Sequence, residues 1–121
     1  MKQKKIVGAY KALASLSRQK MPLREARKIF NLRAKLQPSI DFQAEEERKL
    51  LEEMGLTLEF GGLVHFKDEK QQAAYFQRVA EIGEMEEETE AEPITLPALD
   101  HIQISAEELE ALDGFVEFAE G

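Results

Sequence analysis

Cysteine and tryptophan are absent from the 121 residues, histidine occurs twice and proline four times. Without cysteine there is no disulfide, no thiolate zinc site and no cysteine nucleophile. No apolar run approaches the roughly 18 residues that a membrane-spanning helix needs. The start, MKQKKIVGAYK, is basic, but Lys11 interrupts its apolar stretch too early for a secretory signal. The expectation is a cytoplasmic protein with no membrane association. Basic residues are missing altogether after Arg78.

Charge is abundant. One residue in three is charged, above the norm of roughly one in four, and the net charge is −8. That net value hides an asymmetry. Residues 1–40 hold eleven Lys/Arg against one acid, a balance of +10, whereas residues 41–121 hold five against twenty-three acids, a balance of −18. Three readings are open: the ends neutralise each other within one chain, copies associate basic end to acidic end as a homo-oligomer, or each end meets an external partner.

Apolar spacing predicts an α+β protein that is mostly α. Ile6, Ala9, Tyr10, Leu13 and Leu16 share a face of a helix over 3–19. Pro22 suits the first turn of a second helix, in which Leu23, Ala26, Ile29 or Phe30, Arg33 and Leu36 recur at three- and four-residue steps. Two such helices with a tight connection read as a helical hairpin. Pro38 either kinks or briefly breaks the helix, which resumes through Phe42, Leu50, Leu51 and Met54 and stops at Gly55.

The stretch LTLEFGGLVHF, 56–66, alternates apolar residues about paired glycines and predicts a small β-hairpin. A three-residue loop, Gly61-Gly62-Leu63, pairs Phe60 with Val64 and Leu58 with Phe66, which keeps the large apolar side chains on one face. Glu59 then lies opposite His65. A helix over 68–84 is expected to bury Ala73, Phe76, Val79 or Ala80, and Ile82. Beyond it ITL (94–96) and HIQI (101–104) read as short extended pieces. Ser105 and Glu108 form a capping-box pattern opening a helix with Leu109 and Leu112, after which Phe115, Val116 and Phe118 are candidates to dock on the core. The implied organisation is a helical core over 1–85 with the inserted hairpin, an acidic connection over 86–92, and a C-terminal appendage over 93–121 docking on the core.

Three stretches, ALASLSRQKMPLREARKIFNLRAKL, FQAEEERKLLEEMG and AEPITLPALDHIQISAEELEALDGFVE, give the chain a pattern that resembles a group of small proteins of unknown function encoded in bacteriophage and prophage genomes. The resemblance covers most of the chain, with Pro38 and the glycine-rich hairpin as departures. It implies phage or prophage origin and no known enzymatic activity, and it transfers no site residues.

The residues themselves carry no catalytic pattern. His65 and His101 both fall on outward positions, Ser105 is explained as a cap, and no nucleotide-binding, zinc-protease or nucleophile-elbow motif occurs. No catalytic, cofactor-binding or metal residue is assigned, and no cofactor is expected. What remains are charged surfaces. The run EIGEMEEETEAEPITL, 81–96, holds seven glutamates and no basic residue. Glu84, Glu86, Glu87, Glu88, Glu90 and Glu92 are candidate partner-binding residues, with Arg24, Arg27 and Lys28 on the basic hairpin. The −18 of the remaining chain argues against a nucleic-acid ligand for that hairpin. The function expected is a non-catalytic accessory protein that acts by protein–protein contact, on a virion component or a host factor, in the host cytoplasm or on the virion. Its rival is an inhibitor whose acidic run mimics nucleic acid in the groove of a host defence or transcription enzyme.

Overall fold

A computed structural model of the chain describes residues 1–58, 63–99 and 101–119. Its order is α1 (Gln3–Leu16), α2 (Leu23–Met54), α3 (Glu69–Gly83), β1 (Ile94–Pro97), α4 (Ala106–Leu112) and β2 (Val116–Ala119). The fold is therefore α+β and mostly helical, with one two-stranded sheet among the described residues.

The helical hairpin forms as the spacing requires. Ile6, Ala9, Leu13 and Leu16 are buried, with Ala12 added to the same face and Tyr10 half-buried. α2 runs antiparallel to α1: the Tyr10 hydroxyl donates to Gln37 Oε1 at 2.8 Å, and the Gln3 side-chain amide donates to the Ser39 carbonyl at 2.7 Å. Pro38 sits inside α2 without ending it. It removes one N–H from the ladder, a local loss that packing on both sides of the helix outweighs. Gly55 closes α2 at φ 67°, a left-handed conformation in which an L side chain would be strained.

The buried face of α2 differs from the expected one. Ile29, Leu32, Leu36 and Ser39 are buried, while Leu23, Ala26 and Phe30 face outward. The outward stripe has the same three- and four-residue steps but includes Arg33. Only the stripe through Leu32 buries no charge.

Two cores share α2. The larger joins α1 and the first half of α2 to Leu96, Leu112, Phe115 and Val116. The smaller, at the far end, gathers Leu50, Leu51, Leu56 and Tyr75, with Met54, Val64, Phe66 and Val79 against them. α3 therefore turns Tyr75, Val79 and Ile82 inward rather than Ala73 and Phe76. Phe76 keeps only ring contacts, 5.8 Å to Phe66 and 5.5 Å to Tyr75 between centroids. Asp68 caps α3, accepting from the Gln71 N–H.

In place of the expected pairing of Leu58 with Phe66, an antiparallel bridge joins Leu58 to Val64, two residues away in register. The shift is even, so Val64 and Phe66 still share the half-buried face and His65 stays exposed. The turn glycines and the expected Phe60 and Glu59 pairings lie outside the described residues.

The C-terminal segment lies over the other side of α1. β1 and β2 pair in parallel, Ile94 with Val116 and Leu96 with Phe118, with α4 as the crossover. The capping box at Ser105 and Glu108 is complete. Lys5 Nζ donates to the Glu110 and Ala111 carbonyls at 2.9 and 3.2 Å, a cation at the negative end of α4. The HIQI stretch alternates as expected, with Ile102 and Ile104 against the core, yet it joins no sheet. Its ladder partner is a side chain: the Gln19 amide donates to the Gln103 carbonyl at 2.6 Å and accepts from the Gln103 N–H at 2.9 Å.

These faces make a contrast testable by urea denaturation. Leu13→Ala is expected to lose about 2–5 kcal/mol, and Leu23→Ala about 0.5 kcal/mol or less. Comparable losses would contradict the assignment of the two stripes.

Candidate functional site

The acidic run and the basic hairpin meet within one chain. The backbone at the start of the chain pairs with the run as a short antiparallel bridge between Lys2 and Glu86: Gln3 N–H donates to the Met85 carbonyl, and Glu87 N–H donates to the Met1 carbonyl, both at 2.8 Å. That pairing sets Lys2 and Lys4 around Glu84, with Lys2 Nζ at 2.5 Å and Lys4 Nζ bonded to the other carboxylate oxygen. The close approach has a steric basis. A Cβ on Gly83 would come within 3.2 Å of Lys4 Cβ, so the small residue lets α1 reach the end of α3. The Met1 ammonium lies 2.9 Å from Glu86.

These contacts perturb the carboxylates. Hydrogen bonds from Lys2 and then Lys4 lower Glu84 to about 2. Hydrogen bonding to the terminal ammonium lowers Glu86, and Glu84 in turn raises Lys2. Farther along, Glu90 stands 3.8 Å from Lys35, an exposed pair of small energetic weight. Lys28 donates to the Thr95 carbonyl of β1 at 2.9 Å, so it is spent on holding the sheet to α2. Lys28, Glu90 and Glu92 thus come together along one side of α2, around a shallow concavity of about 440 Å³. Glu84, Glu86 and Glu87 gather at the chain start, where Glu87 is half-buried by its backbone pairing. Glu88 and Glu92 are exposed.

Arg24 and Arg27 belong to neither group. Both are exposed on the first turns of α2, and neither has an ion pair among the described residues. Arg27 instead edges an apolar concavity of about 440 Å³ lined by Ser17, Leu23, Ala26, Phe30 and Arg33. Leu23 is 73% exposed and Phe30 69%, the two most open large apolar side chains on α2. Arg33 closes the concavity. Its guanidinium lies 5.3 Å from the Tyr10 ring centroid and donates to Ser17 Oγ at 3.2 Å. Reading Leu23 and Phe30 as core residues hid this patch. The charged Arg33 at the same spacing was the signal that the stripe faces water.

His101 and Glu108 are both held in structural contacts. His101 Nε2 lies 2.7 Å from the Lys20 carbonyl. Glu108 is lowered by hydrogen bonds from the Ser105 backbone and the Ser15 side chain. Among the described residues no cluster of three or more His, Asp and Glu has metal-binding geometry, and no helix is long and apolar enough to cross a membrane. No family model matches the chain, and neither a curated protein nor a solved structure matches it.

The Glu84 site gives a pH prediction. Its folded value is depressed from the ordinary 4.5 to about 2, so its stabilising contribution is complete above the ordinary value and is lost as pH falls from there through about 2. Carboxyl-carbon NMR titration is expected to place Glu84 near the bottom of that window. In Lys2→Met/Lys4→Met it should return to the ordinary range. An ordinary value in the unsubstituted chain would show that the bridge does not persist in solution.

Proposed function

We propose that this chain is a phage or prophage accessory protein that acts by protein–protein contact, with no catalysis of its own, in the host cytoplasm or on the virion. The observation that carries the contact reading is the open stripe of Leu23 and Phe30 on α2. Isolated exposed leucines are ordinary, but two large side chains lining one concavity with arginines at its edge have the make-up of a recognition patch. The non-catalytic part is supported by the structural employment of His101, Ser15 and Ser105. The phage or prophage origin rests on the resemblance carried by the three sequence stretches.

Nucleic-acid mimicry by the acidic run is the second reading, and the exposure of Glu88 and Glu92 favours it. The geometry weakens it. A phosphate mimic needs carboxylates free to meet cations on a partner, and Glu84, Glu86 and Glu90 already hold Lys2, Lys4, the Met1 ammonium and Lys35.

A tagged chain presented to nuclease-treated lysates of infected and uninfected cells separates the readings. Wild type and Glu88→Lys/Glu92→Lys are expected to retain the same protein, and Leu23→Ser/Phe30→Ser to lose it. The opposite pattern would favour the mimic. Retention by all three would remove the apolar stripe as the contact.

A further inference from the structure

We infer that the concavity on α2 receives an acidic amphipathic helix of another protein, with apolar residues seated on Leu23, Ala26 and Phe30 and carboxylates reaching Arg27 and Arg33. This rests on the contact reading above and adds the chemistry of the partner.

The first argument is shape. Leu23, Ala26, Arg27 and Phe30 stand at i, i+3, i+4 and i+7, so they form one continuous ridge on the outward face of a helix. A second helix packs on such a ridge by setting its own i, i+4 side chains alongside. The concavity of about 440 Å³ extends along this ridge from Leu23 to Phe30.

The second argument is charge. The chain carries twenty-four acids against sixteen Lys/Arg. Lys2, Lys4, Lys35, Arg48, Lys49 and Arg78 each hold a carboxylate. Among the described residues Arg24, Arg27 and Arg33 hold none, despite that excess of acid. Arg18 and several lysines hold none either, but of the unpaired guanidinium groups Arg27 and Arg33 line the apolar concavity and Arg24 stands one turn before Arg27, so positive charge is available at that edge.

Preorganisation is the third. Arg33 is already stacked on Tyr10 and bonded to Ser17, so less side-chain freedom is lost when it engages an anion. An apolar centre with a cationic edge fits a protein segment better than a polyanion. Phosphate contacts would leave Leu23 and Phe30 in water, and the −18 balance of residues 41–121 repels an extended nucleic acid more than a short acidic segment. A second copy is the poorer fit. Stripe packed on stripe would set the unpaired arginines of two copies against each other, and the acidic α4 offers one exposed large apolar side chain, Leu109.

The test is a selection of displayed random 14-residue peptides on the immobilised full chain, with peptides that also bind Leu23→Ser/Phe30→Ser subtracted. The best peptides are then measured by fluorescence anisotropy. Enriched sequences are expected to be net negative, with large apolar residues three or four apart and Asp or Glu beside them. Arg24→Glu/Arg27→Glu is expected to weaken the best of them about tenfold or more, and raising salt to weaken them further. All four substitutions are at exposed positions, and thermal melts should match wild type. Arg33 is left intact because it packs on Tyr10.

Neutral or basic consensus peptides, no enrichment, or equal binding to Arg24→Glu/Arg27→Glu would overturn the inference. So would a dimer in sedimentation velocity that Leu23→Ser/Phe30→Ser abolishes, which would give the concavity to a second copy. Binding of a labelled single-stranded oligonucleotide through Arg24 and Arg27 would also overturn it. Lysate capture that depends on Leu23 and Phe30, combined with neutral or basic peptides, would leave the contact reading standing and remove only the acidic partner.

Discussion

The side-chain amide of Gln3 fixes how the helices meet. Gln3 is fully buried, its Nε2 donates to the Ser39 carbonyl, and its own backbone N–H donates to the Met85 carbonyl. A buried amide N–H left without a partner costs about 1–3 kcal/mol, and the Oε1 of this amide has none among the described residues, so Gln3 adds little net stability and acts mainly against wrong registers. One residue therefore sets α1 along α2 and pins the end of α3 to both. Once Gln3 is seated, Lys2 and Lys4 flank Glu84 and Lys5 faces the end of α4.

That arrangement decides which surfaces remain for contact. The ends of the chain carry opposite charge, and part of it is paired internally at the chain start and at Lys35. The acidic run is less a free tail than the outer edge of a joint, stitched by backbone pairing and lysines at its start and by Lys35 farther on. The basic hairpin keeps Arg24 and Arg27 exposed and uncompensated on the first turns of α2, with Arg33 close by against Tyr10. The charge asymmetry thus resolves in part into a paired seam at the chain start, and leaves uncompensated arginines beside exposed leucine and phenylalanine.

Local signals were legible in the sequence, and nonlocal ones were not. The α1 face, the stop at Gly55, the Asp68 start and the Ser105 capping box follow from spacing and cap chemistry within a few residues. The facing of α2 was misread because two stripes of equal periodicity run along it; their difference is one arginine, and the deciding partner, the C-terminal segment, lies far away in sequence. Tyr75 replaces Phe76 in the small core for the same reason, since adjacent aromatics compete and the packing surface chooses. Alternation in ITL and in Val116, Glu117 and Phe118 is visible locally, but parallel pairing across a helix leaves no local mark. The candidate surface suffered most. A recognition patch and a core stripe have the same composition, and only their exposure tells them apart.

The contact of Lys5 with Glu110 spans 105 residues. A ribosome adding about 5–20 residues per second makes that interval on the order of 5–20 s. Once α2 has been made α1 has it to lean on, but it still lacks Leu112, Phe115 and Val116, the side chains that complete its apolar covering. The nascent chain therefore exposes a half-covered helix, flanked by lysines, for longer than most of its local structure takes to form. Timing thereby falls to α4 and β2, made long after α1: they act as the latch that ends the vulnerable period.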